Sequence, residues 1–446
     1  MNCPHPAERD KQFTFFLETY GCAANQADSE KMKGLLLSSG GKSSSLEQAD
    51  LVIINSCGVK GPTEDKILKR AETLLRAGHL LVLTGCLPRI SLEQIEKICH
   101  GYGALVDTRS IHLVAEVARR VMAGERHLRV FSHQNEAITK SKLELPEPDG
   151  MTGIVQISEG CTGHCSYCAT KFARGGLLSF PPDDITAAVT VLVQQHGCKD
   201  IWFTAQDTGS YCWNGLTLSE LINRVMAANR NQVFRLRVGM MNPEHLNRFT
   251  SEYAGLLVNE PYLYRFVHVP VQSGSNRILE AMKRKYTVET VKSIFQVLKK
   301  RIPLLTVSTD IICGFPGEGE EDFFRSLDLI QWLQPDIVNI SRYWPRPGTR
   351  AAKLPRLPVT LVKSRSKKLV TLTRRLALER NKNWIDWEGT ALVTEKGREE
   401  TSVLRNDYYK PIVVAEKLSL GQFIHIRVTG ANSFYLLGEV LESPRE

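Results

Sequence analysis

The chain runs to 446 residues, 42% hydrophobic and 24% charged, with a net charge of +9 and 11 cysteines. That length exceeds one ordinary core and implies two to four domains, and no run approaches the roughly 20 apolar residues of a membrane span. The opening MNCPHPAERDKQF has no apolar signal region, so the expectation is a cytoplasmic protein with reduced thiols rather than a disulfide framework; the basic balance fits a nucleic-acid partner and a mildly basic enzyme equally well.

Apolar runs at 13–22, 49–57, 79–86 and 104–108 alternate with helix-like spacing over 26–38, 62–77, 91–99 and 110–123. Continuous apolar strands between amphipathic helices predict a parallel α/β sheet covered on both faces. Three of these runs end in a cysteine, Cys22, Cys57 and Cys86. Ligands gather beyond the carboxyl ends of such strands, so the three thiols are candidates for one site. Residues 131–150 are polar, with late prolines and a closing glycine, and read as a linker.

Six further runs follow: 153–161, 200–207, 233–241, 265–273, 304–315 and 336–343. Their spacing predicts an open (βα)6 barrel, since a full eight-unit barrel needs about 250 residues. Residues 361–382 read as a basic helix, and phosphate contact and a solvated face are both open for it. From 384 onwards, short alternating strands predict a small OB-like β-barrel, a fold that commonly binds nucleic acid.

The loop after the first barrel strand reads EGCTGHCSYCATKFARG and carries Cys161, Cys165 and Cys168 as CxxxCxxC. A closed zinc site would bring a fourth Cys or His at short range, but His164 is awkwardly placed between two ligands and Cys198 lies beyond a helix. A 4Fe–4S cluster usually takes four thiolates, and one iron left without a protein ligand would be a place for a substrate or cofactor.

This motif on this loop resembles the radical S-adenosylmethionine (SAM) superfamily, where the amino and carboxyl groups of SAM complete the cluster and reductive cleavage releases a 5′-deoxyadenosyl radical. TYGCAAN (19–25), INSCGVKGPTEDK (54–66) and LTGCLPR (83–89) further resemble the N-terminal domain of methylthiotransferases. The resemblance implies a second 4Fe–4S cluster on Cys22, Cys57 and Cys86, two SAM molecules per turnover, a C-terminal TRAM domain that binds RNA, and an electron donor such as flavodoxin or ferredoxin. It divides the chain into an N-terminal domain (12–130), a linker (131–150), a radical-SAM core (151–380) and a TRAM domain (384–446).

ATKFARG after Cys168, with AQDTGSY (205–211), TDIICGFPGE (309–318) and YWPRPGTRAAK (343–353), resembles the archaeal and eukaryotic branch acting on threonylcarbamoyladenosine beside the tRNA anticodon. The chain ends SPRE without the hydrophobic anchor of many eukaryotic members, so an archaeal-type soluble member is the expectation. Isopentenyladenosine, a ribosomal-protein aspartate and a non-catalytic zinc RNA-binding protein are the alternatives.

Expected cofactor contacts are Arg174, Gln206, Asp207, Arg237, Gln272, Ser273 and Gly314, with Asn242 as a further candidate. A salt bridge for Arg174 and a helix cap for Ser273 or Ser275 compete with those roles. GFPGE lacks the length and lysine of a P-loop. Lys396, Arg405, Lys410 and Arg427 are candidate RNA contacts, and Cys3, Cys99, Cys198, Cys212 and Cys313 are expected bystanders.

Overall fold

The computed structural model describes residues 12–58, 61–132, 140–143 and 145–441; Cys3 and part of the expected linker lie outside them. The N-terminal unit is an all-parallel sheet in the order β2-β1-β3-β4-β5-β6, with β1 Phe13–Thr19, β2 Gly41–Ser43, β3 Leu51–Ser56, β4 Leu80–Gly85, β5 Ala104–Asp107 and β6 Leu128–Val130. β3 and β4 are apolar without alternation because both faces are covered. Ile53 and Val82 pack with helices α1 (Ala23–Ser38) and α5 (Val114–Met122). Val52, Ile54, Leu81 and Leu83 pack with α2 (Gly61–Arg76) and α4 (Leu92–Ile98), the short α3 (Leu87–Ile90) lying between. Each such buried side chain contributes about 1.5–3 kcal/mol, and Ile54→Ala would cost about 2–5 kcal/mol. The edge strands β2 and β6, GKS and LRV, extend the sheet beyond the four apolar runs; three residues at an edge carry no pattern to read.

The central unit has six parallel strands, β7 Thr152–Gln156, β8 Asp200–Thr204, β9 Arg235–Val238, β10 Phe266–His268, β11 Thr306–Cys313 and β12 Ile337–Arg342. They form two halves, β9-β8-β7 and β10-β11-β12, joined by a parallel bridge between Leu236 and Leu263. Helices α6 (Thr170–Arg174), α7 (Pro182–Thr190), α8 (Leu218–Ala228), α9 (Thr250–Asn259), α10 (Val288–Arg301), α11 (Glu320–Leu333) and α12 (Val359–Lys382) follow in turn. Thr217 starts α8 with a capping box to Glu220. The core lies between strands and helices, with Ile201, Phe203, Leu236, Val307 and Phe295 fully buried.

At the C-terminus, β13 Glu388–Lys396, β14 Ser402–Asn406, β15 Pro411–Val414, β16 Phe423–Ala431 and β17 Leu436–Val440 close a barrel in the order β13-β14-β15-β17-β16. Its β14–β15 turn docks on the lower end of the large barrel, where the strands begin. Asp407 pairs with Arg235 at 2.7 Å, and Lys410 Nζ lies 2.6 Å from Asp336 and 2.7 Å from Asn381 Oδ1. This corrects the expectation for Lys410: it is buried and ion-paired, and fastens one barrel to the other instead of facing RNA. Arg405 pairs with Glu395, Arg427 pairs with Glu388 and Glu439, and Lys396 is exposed. Among the described residues, no helix is long and apolar enough to cross a membrane.

Candidate active site

The first three cysteines follow β1, β3 and β4, which are neighbours in the sheet, so their carboxyl ends lie about 4.8 Å apart per strand. Cys22 caps α1, Cys57 directly follows β3 and Cys86 opens α3. Glycines allow the close approach. Gly21 has φ +130°, and a Cβ there would fall 2.9 Å from the Cβ of Cys57. Gly85 has φ +92°, and a Cβ would fall 2.4 Å from Asn55 Oδ1 and from the Ser56 carbonyl. Asn25 and Asn55 pin the loops: Asn25 Nδ2 donates to Asn55 Oδ1 at 3.0 Å, and Asn55 Nδ2 returns to the Asn25 carbonyl at 2.8 Å.

The second triad occupies one loop above β7. Cys161 Sγ accepts from the Gly163 amide at 3.2 Å, and Cys165 Sγ from Arg284 Nη1 at 3.3 Å. Burial pushes the Cys161 thiol up to about 11 and raises Cys168 and Cys86, with the Arg174 charge opposing the rise at Cys86. A metal must displace those protons before the thiolates ligate, so binding would release protons.

Helix α6 links the triads. It begins two residues after Cys168, and Ala169 and Ala173 pack against Cys86 and Ile90. At its end Arg174, only 1% exposed, pairs with Asp28 at 2.9 Å and Glu159 at 3.3 Å, and its positive charge acts on Cys86. Lys140 joins the same carboxylates at 2.8 and 3.1 Å. Arg174 thus faces the N-terminal triad and secures the sheet to the barrel. Two quoted stretches serve the same junction: Arg346 of YWPRPGT pairs with Glu64 of GPTEDK, and Trp344 lies on Gly61.

A cavity of about 910 Å³ opens at the carboxyl ends of the barrel strands, and Cys22, Cys86, Cys161, Cys165 and Cys168 all line it. Arg174, Gln206, Asp207, Arg237, Asn242 and Gln272 line it too. Gln206 Oε1 accepts from the Gly160 amide at 2.6 Å, fixing the start of the cysteine loop. Both Asp207 oxygens are engaged, one by the Gly209 and Asn242 amides and the other by His245 Nδ1 at 2.6 Å. Gln272 sits at φ +66°, a left-handed backbone held by parallel bridging to β11. Ser273 and Gly314 lie off the wall. Ser273 Oγ accepts from the Ser275 amide at 3.2 Å, and Gly314 packs on Val362 of α12 with its amide donated to Glu318.

Cys99, Cys198 and Cys313 are buried, and Cys212 is exposed away from the cavity. Sequence reading missed Arg284, His268, Lys283 and Arg350, all on the wall. His268 Nε2 is 3.2 Å from Asp310, which also accepts from Asn339 at 2.8 Å. Burial alone would raise the Asp310 pKa, but His268, Asn339 and Arg284 outweigh it and hold it below the usual range.

Residues 155–330 match the radical SAM superfamily, 14–106 the uncharacterized protein family UPF0004 and 388–441 the TRAM domain. The chain is 40% identical over 428 residues to a probable threonylcarbamoyladenosine tRNA methylthiotransferase of Pyrococcus horikoshii, covering 96% of this chain and 99% of that one. The chain belongs to the threonylcarbamoyladenosine tRNA methylthiotransferases. A Drosophila melanogaster member is 34% identical over 440 residues, covering 97% of this chain and 78% of that protein. Among solved structures, the radical SAM methyltransferase TsrM from Kitasatospora setae superposes with a TM-score of 0.57 at 15% identity, covering 76% of this chain and 75% of that one, which speaks for the fold alone.

The cofactors of this methylthiotransferase are SAM and 4Fe–4S clusters, and the donor set fits them: two thiol triads on one cavity, with a guanidinium beside each, Arg174 at Cys86 and Arg284 at Cys165. Among the described residues no three such ligands close around a single ion. A cubane does not require that, since each of its irons takes its own thiolate.

Proposed function

We propose that this enzyme converts N6-threonylcarbamoyladenosine beside the tRNA anticodon to its 2-methylthio derivative, with Cys161, Cys165 and Cys168 holding the SAM-binding 4Fe–4S cluster and Cys22, Cys57 and Cys86 a second one. The observation that carries this reading is the single cavity lined by thiols of both triads. When bound, the clusters and SAM supply the radical that abstracts hydrogen and the site from which sulfur and methyl are delivered.

The protein's own residues position those groups. Gln206 and the Gly163 amide hold the cysteine loop, and Arg284 places a positive charge beside Cys165. Gln272 and Arg237 are the proposed polar contacts to SAM on the wall, while Asp207 orients the Asn242 turn and His245 from beneath it. Arg174 acts at the second cluster. Domain limits of 12–130, 151–380 and 384–446 accompany this reading, as does an external donor such as flavodoxin or ferredoxin.

The test is anaerobic reconstitution followed by iron and sulfide analysis, then mass spectrometry of nucleosides from tRNA carrying threonylcarbamoyladenosine or isopentenyladenosine. About eight irons per chain and a methylthio product on the former alone are expected. Zinc without iron, or product on the isopentenyl substrate, would overturn the assignment.

A further inference from the structure

At the floor of the cavity stands a charge that no hydrogen-bond acceptor among the described residues meets. Arg237 stands on β9, and its guanidinium carbon lies 4.8 Å from the ring centre of Trp202, 5.1 Å from Phe266 and 5.2 Å from Tyr409. Among the described residues no carbonyl or carboxylate pairs with it, and its Nε is buried without a partner. Arg235, two positions earlier, is by contrast paired with Asp407. On the neighbouring strand Asp200 Oδ2 accepts from Trp202 Nε1 at 2.9 Å, and Asp200 Oδ1 is buried without a partner rather than bonded to Arg237. Aromatic faces stabilise a guanidinium without occupying its N–H fork. The fork therefore stays available for a bidentate anion entering from the cavity.

Two of these rings belong to the large barrel, and the third comes from the C-terminal one. Tyr409 lies in the turn that docks on the barrel floor, and its backbone has φ +61°. A bulky side chain keeps that conformation only where packing over-determines it. Here the ring is 4.8 Å from Tyr264 and 5.0 Å from Phe266, Arg405 covers it at 4.7 Å, and the ion pairs of Asp407 and Lys410 fix the turn on either side.

We propose that Tyr409 is a positioning residue of the active site: it holds Arg237 as the receptor for a carboxylate in the cavity, making the RNA-binding domain a structural part of that site. The inference rests on the radical-SAM reading above. That reaction brings two carboxylates, one on the methionyl part of SAM and one on the threonyl part of the modified adenosine.

The experiment uses the full-length reconstituted enzyme with Tyr409→Phe, Tyr409→Leu and Arg237→Gln. Three quantities are measured: the Kd of S-adenosylhomocysteine by calorimetry, the Kd of tRNA with and without the threonylcarbamoyl group, and KM for SAM against kcat. Y409F keeps the ring and should match the parent. Y409L and R237Q should each weaken the carboxylate ligand by about tenfold, the scale of a buried cation–π contact, and the loss should appear in Kd and KM for that ligand. Loss confined to S-adenosylhomocysteine assigns the carboxylate to SAM; loss of preference for threonylcarbamoylated tRNA assigns it to the nucleoside.

Affinities within twofold of the parent in a folded Y409L, whatever R237Q does, or a fall in kcat alone, would overturn the proposal. If Y409L fails to fold by circular dichroism, R237Q decides, because it leaves the docking turn intact. A parent enzyme that cleaves SAM but leaves threonylcarbamoyladenosine unmodified would refute the substrate assignment, and the S-adenosylhomocysteine arm would still decide the role of Tyr409.

Discussion

Cys161, Cys165 and Cys168 sit in one loop, whereas Cys22, Cys57 and Cys86 come from three separate loops and meet only because β1, β3 and β4 are neighbours. The loop triad is half-buried and held by two hydrogen bonds to sulfur, from Gly163 and Arg284. The sheet triad has two members in the interior and rests on glycine-packed strand ends and an Asn25–Asn55 clasp. One is set by the course of a single loop, and the other by the register of the sheet beneath it. Both face one cavity because α6 spans from the first to the second.

That contrast can be broken by substitution. Cys165→Ala should abolish 5′-deoxyadenosine formation, a loss of at least about a thousandfold, and leave about four irons per chain. Cys57→Ala should also leave about four irons but keep 5′-deoxyadenosine formation within a few-fold while the methylthio product disappears. Equal loss of both products in the two variants would erase the division of labour.

Arg174→Gln sharpens the comparison at the junction. It leaves Asp28 and Glu159 with Lys140 as their ion-pair partner and Lys31 nearby in a buried site, and removing one partner of such a network costs about 3–5 kcal/mol. Thermal denaturation should show an early transition of the N-terminal unit, with iron lost first from the sheet triad. A melt that coincides with the parent's would show that Arg174 does not hold the junction.

The smallest effect is on the acid side. Burial alone would raise the Asp28 pKa, but Lys140 and Arg174 outweigh it and hold the carboxyl below its usual value; at the other end of the barrel, Lys410 and Arg380 do the same for Asp336. Groups with depressed pKa values contribute stability above about pH 4 that is lost as the pH falls through their folded values. Asp28→Asn and Asp336→Asn should each flatten the acid limb of the stability curve in urea titrations between about pH 2 and 5. Unchanged slopes would count against both ion pairs.

Much of this was legible in the sequence where chemistry is local. CxxxCxxC needs no fold to be seen, and the other three cysteines were readable once apolar runs located the ends of parallel strands. Arg284 was not, because an arginine in MKRKYT looks like any solvated cation until the chain returns it to Cys165. Lys410 misled for the same reason: its partner Asp336 is far away in sequence, and no periodicity announces a buried ion pair. Gly314 was assigned to the site by the family resemblance of its stretch; its φ of +79° and its closeness to Val362 of α12 are features only the folded chain displays.

The docked turn at 407–410 also sets an order of assembly. Ribosomes complete all six strands of the large barrel well before those four residues emerge, and domains generally fold from the N-terminus as they are made. During that interval Tyr264 and Phe266, almost wholly covered in the finished protein, face water through an open end. The catalytic barrel is thus begun early in translation and sealed only near its close. A chain released before residue 407 would carry all six cysteines of the two triads, with an aromatic surface exposed where its floor should be.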